Sequence, residues 1–537
     1  MKYPTGTHCF EKIREGEYVY VDKTALMYDL VTKGKSYFLC RPRQFGKSVL
    51  VSTLKYYFLG RKELFDQLAV SSLETEWNVY PVFHIDFDEM DFSEPNALDE
   101  AMDEYIGSAE KAYGIRSSDA PLGARFHEVL KTAHEQTGRR AVVLIDGYDR
   151  PLADVIGRDI AAPVVDGDIQ SLTDYNRERL KAFYNFLKLD DEHLQFVFIT
   201  GETTLAYDCV FCGFKQPADI SYDPQYEAIC GITKGELFTV FKRRVRELGR
   251  KNEMKEQVAK DKFCQMFASY HFSKNLTEVF NTYAVLKSLA KKKFKDYWFS
   301  KDTVSYLMGL LSDNDMFFNE LTNKGHEPSE FASYRPCEQK PLPMFYQKGY
   351  LTIKGYGPFF SIYRLDFPNE ALKTALLSIL ADDYFVPKGY YSAWAEDANR
   401  TLRSGDVFKF SIQLTSILWH VSDRFQRKGD DKKHERHFQY AMYLIMQLLS
   451  KYNTYVEKLA GQGRMDCVLE CADYVYIFGF KMDDTASGVL KHLEDKGYGL
   501  PYAEKGRKVY RVGIVISSET GAIIGYEWAL RKGCGIF

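Results

Sequence analysis

The stretch Phe38-Leu-Cys-Arg-Pro-Arg-Gln-Phe-Gly-Lys-Ser-Val-Leu50 decides how the first part of the chain folds. It leaves the apolar run Tyr37–Cys40, crosses a polar loop and enters a helical pattern at Ser48–Phe58. Strand, loop and helix in that order frame a phosphate-binding loop, in which backbone N–H groups curl around an anion at a helix N-terminus. Gly46 lets the backbone approach the anion. Lys47 brings a positive charge to the outer phosphates, and Ser48 can place its hydroxyl on Mg²⁺. The usual loop opens with glycine in G-x-x-x-x-G-K-[ST]; here that position is Arg41.

Three further runs, Pro81–Phe87, Ala141–Ile145 and Phe196–Thr200, are short and rich in β-branched or aromatic residues. Each reads as a buried parallel strand. Helical segments such as Arg177–Leu187 separate them. The alternation predicts an α/β parallel sheet, with ligands at the carboxyl ends of the strands. Asp146 ends the second of these strands and is placed to hold Mg²⁺ through water. Many ATPases follow that acid with a glutamate that orients the attacking water. Here Gly147 follows, and glycine cannot act as a base. Asp149 is the next acid, but two positions on it points differently. Thr200 is either a polar sensor of the γ-phosphate or a plain strand-end hydroxyl.

The bulk numbers bound the remainder. A chain of 537 residues suggests roughly two to four domains. With 45% hydrophobic and 27% charged residues, no large part must be disordered. A net charge of −3 gives no global pull toward nucleic acid or an anionic membrane. No run of about 18 uncharged apolar residues predicts a spanning helix, and the start lacks a signal peptide, so a cytoplasmic protein is expected. The ten cysteines are scattered. Cys209 and Cys212 form one C-x-x-C, for which packing is the simpler reading than zinc.

From about residue 233 the texture changes. Leu237–Leu248 and Val279–Lys293 read as amphipathic helices with basic faces, and Gly325–Pro343 as a loop. The last region holds a helix at His437–Leu449, strands at Met465–Leu469, Tyr474–Phe480 and Val509–Val515, and a helix at Thr485–Lys496. The expected division is 1–232, a helical lid and connector at 233–395, and a second, smaller α/β unit at 396–537.

FEKIRE (Phe10–Glu15), YVDKT (Tyr20–Thr24), RPRQFGKS (Arg41–Ser48), LIDGYDRP (Leu144–Pro151), FVFITG and DISYDPQYEAICGIT together resemble the bacterial AAA-ATPase-like proteins, most of residues 1–240 taking part. The resemblance implies a P-loop NTPase fold, ATP and Mg²⁺, with Arg43, Phe45, Gly46, Lys47, Ser48 and Thr200 toward the nucleotide and Ser48 and Asp146 toward the metal. The chain departs from the family pattern at Gln44, at Gly147 and through Glu202–Val210.

Such proteins carry a C-terminal PD-(D/E)xK nuclease-like domain. Residues 430–520 resemble it through Gly463-Arg-Met-Asp466 and the strand ending Gly479-Phe-Lys481. The resemblance implies Asp466 as metal ligand and Asp466 with Lys481 as catalytic pair, acting on DNA or RNA. A carboxylate and a lysine two residues apart share a strand face, where metal and lysine activate water. The acid of that E-x-K pattern is Gly479. Glu457 and Glu470 lie nearby without occupying its position, and His492 stands where the family has glutamine. Gly147 and Gly479 thus remove one carboxylate from each centre, which predicts ligand binding with weakened or lost hydrolysis and cleavage. The alternatives are an active ATP-dependent nuclease and a nucleotide-dependent switch or scaffold. Basic runs at Lys242–Arg250, Lys291–Lys295 and Arg424–Lys433 are candidate nucleic-acid contacts. A monomer or small oligomer is expected.

Overall fold

A computed structural model describes residues 2–88, 90–156, 160, 171–184, 191–204, 217–267, 269–295, 301–314, 316, 318–322, 324–333, 340–387, 389–420, 431–450, 454–460, 464–497, 502, 507–517 and 522–530. The chain packs as two units, Met1–Leu372 and Lys373–Phe537. The connector expected at 233–395 is divided between them.

The first unit is built on the expected parallel α/β sheet. Its strands are β1 (Ser36–Cys40), β2 (Val82–Asp86), β3 (Ala141–Asp146), β4 (Leu194–Gly201) and β5 (Ala218–Asp219), in the spatial order β2-β3-β4-β1-β5. Every pairing is parallel. All six residues of β3 are buried, because helices cover both faces of such a sheet. The order sets the site. β4 lies between β1 and β3, with Leu39 beside Thr200, while Asp86 lies beside Asp146. The loop after β1, Asp146 and Thr200 therefore emerge along one carboxyl edge.

Beyond this sheet the structure differs from the sequence reading in three places. The helix expected at Leu237–Leu248 is two helices, Lys234–Val240 and Lys242–Lys251, and the first starts on a Thr233/Glu236 capping box. The helix expected from Val279 begins as β7 (Val279–Phe280), paired with β6 (Ile232–Thr233). Asn281 then caps the Thr282–Lys291 helix. The loop expected at Gly325–Pro343 contains β8 (Gly325–His326) and helices Pro328–Phe331 and Pro341–Gln347. Pro328 and Pro341 sit at the first helical positions, where proline starts a helix instead of breaking it. β8 joins β9 (Thr352–Gly357) and β10 (Ile362–Asp366) in a small antiparallel sheet.

The second unit carries β11 (Thr454–Ala460), β12 (Arg464–Glu470), β13 (Tyr474–Met482), β14 (Lys508–Ile516) and β15 (Ile523–Leu530), in that order across one sheet. Only the β13/β14 pair is parallel, and the Ala486–Asp495 helix makes its crossover. This is the smaller α/β unit read from the sequence, with two edge strands, β11 and β15, added.

Candidate functional site

The loop after β1 is held from its outer side. The Arg43 carbonyl accepts from Asn281 Nδ2 (3.0 Å), that of Gln44 from the Tyr283 amide (3.3 Å), and that of Phe45 from the Gly231 amide (2.7 Å) and the Thr282 hydroxyl (3.1 Å). In a trans peptide the following N–H points opposite to the carbonyl. The amides of Gln44, Phe45 and Gly46 therefore turn away from residues 281–283. Gln44 (φ 65°) and Gly46 (φ 94°) adopt left-handed backbone, which curls successive N–H groups into a concave anion cradle. Lys47 Nζ closes the loop onto the Arg41 (3.1 Å) and Pro42 (3.3 Å) carbonyls. Burial works against its charge, but Glu202, Asp88 and Asp146 outweigh it and raise its pKa.

Two loop side chains are tied into the fold. Arg41, which stands where the loop usually opens with glycine, is buried. Its guanidinium lies 4.2 Å from the Phe272 ring centroid and donates to the Cys40, Ser221 and Tyr226 carbonyls. An arginine is tolerated there because its side chain is folded into the protein. Phe45 packs edge-on against Tyr270 and Phe272, at 4.9 and 5.4 Å between ring centroids. Its ring anchors the loop and also lines the apolar cleft beside the cradle. Arg43 is exposed, and Glu202 bridges it (2.6 Å) to Lys348 (2.9 Å).

Asp146 is 1% exposed, and among the described residues no donor meets hydrogen-bond geometry with either oxygen. Its pKa is pushed up to about 7, by burial first and then by Asp88 and Asp86, against the Ser48 hydroxyl and Lys47. Thr200 Oγ1 is likewise buried and without a partner among the described residues. Orphaned buried acceptors are rare in folded proteins. Here Asp146 lies beside Lys47 and Ser48, and Thr200 beside Leu39 on the same sheet edge, a set that suits a Mg²⁺–phosphate group. The residues present thus fit nucleotide and metal.

Asp149 does not replace the acid missing at 147. Its carboxylate accepts from the Glu202 amide (3.1 Å), the Thr203 amide (2.8 Å) and the Thr203 hydroxyl (2.6 Å), so it fixes the chain after β4.

The sequence reading missed an apolar cleft beside the cradle. Tyr20, Val21, Lys23, Gly46, Leu50 and Leu286 are among its walls, around about 650 Å³ of empty space, part of it open to solvent. The YVDKT block builds one wall. Tyr20 meets the Thr53 hydroxyl, Asp22 accepts from Thr24 and the Ala69 amide, and Lys23 pairs with Glu236 at 2.6 Å.

In the second unit the register sets Asp466 directly across from Gly479, and Gly479 beside Gly513 of β14. The side chains of Asp466 and Glu457 lie outside the described residues, as do Cys209 and Cys212. A Cβ on Gly479 would stand 2.8 Å from Val489 Cγ1 and 3.1 Å from Leu493 Cδ2; one on Gly513 would stand 2.7 Å from the Ala486 carbonyl. The two glycines let the Ala486–Asp495 helix lie close on the sheet. The place of the expected acid is therefore filled by apolar helix packing. Lys481 pairs with Asp484 (2.6 Å), and Glu470 with Arg507 (2.6 Å). Among the described residues no three His, Cys, Asp or Glu side chains converge as a metal cluster.

These two centres lie in the segments that family models match. Residues 4–211 match the AAA-ATPase-like model, described as a predicted AAA-ATPase, and residues 433–526 match the PD-(D/E)XK nuclease superfamily. The chain carries an AAA-ATPase-like domain and a PD-(D/E)XK nuclease-superfamily domain. It is also 28% identical over 535 residues, 98% of each chain, to an uncharacterized protein in the vnfD 5′ region of Azotobacter chroococcum mcd 1.

After the segment matched as AAA-ATPase-like, the basic runs are only partly paired with acids. Arg243 and Arg244 pair with Glu247, Arg246 pairs with Glu256, and Lys292 reaches Glu247 at 3.6 Å. Of the run Arg424–Lys433, residues 424–430 and the side chains of 431–433 lie outside the described residues. Among the described residues no helix is long and apolar enough to cross a membrane.

Proposed function

We propose that the chain binds ATP with Mg²⁺ through its AAA-ATPase-like domain, turns it over slowly, and has lost strand cleavage in its nuclease-like domain. Its output is then nucleotide state, as a switch or scaffold that engages nucleic acid through the remaining nuclease-like surface. One observation carries the nucleotide half: the buried Asp146 carboxylate, orphaned beside Lys47 and Ser48 at a curled loop. Lys47 and the loop amides hold the phosphates, Ser48 and Asp146 hold the metal, and Thr200 reads the γ-phosphate. Mg²⁺, when bound, neutralises phosphate charge. Gly147 supplies no carboxylate, which supports slow turnover. The apolar walls of the cleft beside Tyr20 and Gly46 support a nucleotide base next to the phosphates.

Loss of cleavage is supported by the helix packed over Gly479. The alternative, an active nuclease on DNA or RNA, draws on Lys481, which stands two residues from Gly479 and is paired with Asp484. A bacterial, cytoplasmic protein acting as a monomer or small oligomer completes the proposal, and the Azotobacter relative supports its bacterial part.

Calorimetry of ATP binding with and without Mg²⁺ tests the nucleotide half, with Lys47→Ala as control. Metal-dependent affinity lost in Lys47→Ala is expected, and equal heats from both proteins would overturn it. Plasmid incubated with Mg²⁺ or Mn²⁺ tests the nuclease half. Nicking that Lys481→Ala abolishes would restore the active-nuclease alternative.

A further inference from the structure

The chain leaving β2 brings an acid to the place that Gly147 leaves open. β2 and β3 are parallel neighbours, with Asp86 beside Asp146 and the Phe87 amide bonded to the Asp146 carbonyl (3.0 Å). Two residues past Asp86 the chain turns over the end of β3. A Cβ built on Gly147 would stand 2.5 Å from Asp88 Oδ1, 2.8 Å from its Cγ and 3.2 Å from its amide nitrogen. The Asp88 carboxylate thus occupies the volume into which a side chain at 147 would project. Gly147 itself has φ +68°, which L side chains rarely adopt. The glycine and Asp88 form a matched arrangement: the first clears the space and the second fills it.

The other acids near the cradle are committed. Glu202 is held by Arg43 and Lys348, Asp149 by Glu202 and Thr203, and Asp146 lies at the metal position. The Asp88 amide is tied to Asp86 Oδ1 (3.0 Å), which orients the turn. Among the described residues no donor bonds the Asp88 carboxylate, whose charge nonetheless acts on both Lys47 and Asp146.

We propose that Asp88 is the water-orienting carboxylate of the nucleotide site, supplied from β2 in place of the side chain that residue 147 lacks. This rests on the nucleotide reading above. The attacking water gives one proton to Asp88 as its oxygen forms the new bond to the γ-phosphorus. The bond from that phosphorus to the bridging oxygen breaks, and its electron pair leaves on ADP. The proton is then released from Asp88 to solvent, giving ADP and inorganic phosphate. Aspartate is one methylene shorter than glutamate and approaches from the neighbouring strand, so turnover is slow but real.

The test uses the full chain as wild type, Asp88→Asn and Asp88→Glu, with Lys47→Ala as background. The measurements are MgATP affinity, trapping of ADP with beryllium fluoride and with aluminium fluoride, and phosphate release. Asp88→Asn is expected to bind MgATP and trap the beryllium complex within about threefold of wild type. It is expected to lose aluminium-fluoride trapping and at least tenfold in phosphate release, since general-base groups contribute typically 10²–10⁴-fold. Asp88→Glu, which retains a carboxylate, is expected to keep aluminium-fluoride trapping and so separates lost chemistry from lost folding. Wild-type trapping and release retained in Asp88→Asn would overturn the assignment, as would wild-type release equal to that of Lys47→Ala. Failure of the wild type to bind MgATP would instead overturn the nucleotide reading beneath it.

Discussion

Returning the missing acid to the nuclease-like centre is the obvious attempt at repair, and the packing predicts that Gly479→Glu alone fails. Carbon atoms rest about 3.5–4.0 Å apart. The new Cβ would lie 2.8 Å from Val489 Cγ1 and 3.1 Å from two Leu493 carbons. Either the Ala486–Asp495 helix lifts or β13 shifts, and overpacking of this kind costs about 1–3 kcal/mol. The carboxylate would enter a layer where Val489 and Leu493 are buried and where Lys481 is already paired with Asp484. An unsatisfied buried polar group adds about 1–3 kcal/mol. The sum, roughly 2–6 kcal/mol, lowers the melting temperature of the second unit by on the order of 5–15 °C. Differential scanning calorimetry and a plasmid-nicking assay with Mn²⁺ measure the two consequences. Gly479→Glu is expected to melt lower and to leave plasmid intact. Adding Val489→Ala removes the offending methyl and is expected to recover part of the melting temperature. A Gly479→Glu protein that melts with wild type and nicks plasmid would refute the reasoning.

Three further outcomes follow from the first unit. Asp146 has a folded pKa of about 7, above the ordinary carboxyl value, so the fold prefers its neutral form. Its contribution is complete below about pH 4 and is lost as pH rises through 7, so nucleotide-free protein is expected to lose a few kcal/mol across that window. Asp146→Asn flattens this dependence in urea titrations at pH 5 and pH 8, and an unchanged slope counts against the assignment. Arg125 makes two 2.8 Å bonds to Glu110 with both side chains buried. Arg125→Met strands that carboxylate and is expected to cost about 3–5 kcal/mol by chemical denaturation; a loss below 1 kcal/mol contradicts the buried pair. For Glu202, burial pushes the carboxyl pKa up, but Lys348, Lys47 and Arg43 together hold it well below the usual range. Glu202→Gln frees Arg43 and Lys348 and is expected to tighten ATP binding roughly three- to tenfold, more at low salt. Unchanged calorimetric affinity would place those cations out of reach of the phosphates.

The sequence by itself determined the frame. Short apolar runs ending at Cys40, Asp146 and Thr200 are strands because buried parallel strands need continuous hydrophobic residues, and each was found within two residues of its expected bounds. Gly46-Lys47-Ser48 was legible as a curled loop entering a helix, because such a turn constrains consecutive residues. Pro328 and Pro341 were misleading, since the same residue starts a helix or ends one according to its position.

What only the tertiary structure decided concerns residues far apart in the chain. No local pattern joins Asp88 to Gly147; they meet because β2 and β3 are hydrogen-bonded neighbours. Arg41 looked like a defect in the loop until Phe272 and the Ser221 and Tyr226 carbonyls showed where its guanidinium goes. Gly479 read as a deleted acid, and the structure adds the cause that holds it: with Gly513 it makes room for a helix. A motif records which side chains are present along one strand. Whether a missing carboxylate is replaced or excluded depends on which neighbouring element fills its volume, and packing alone fixes that.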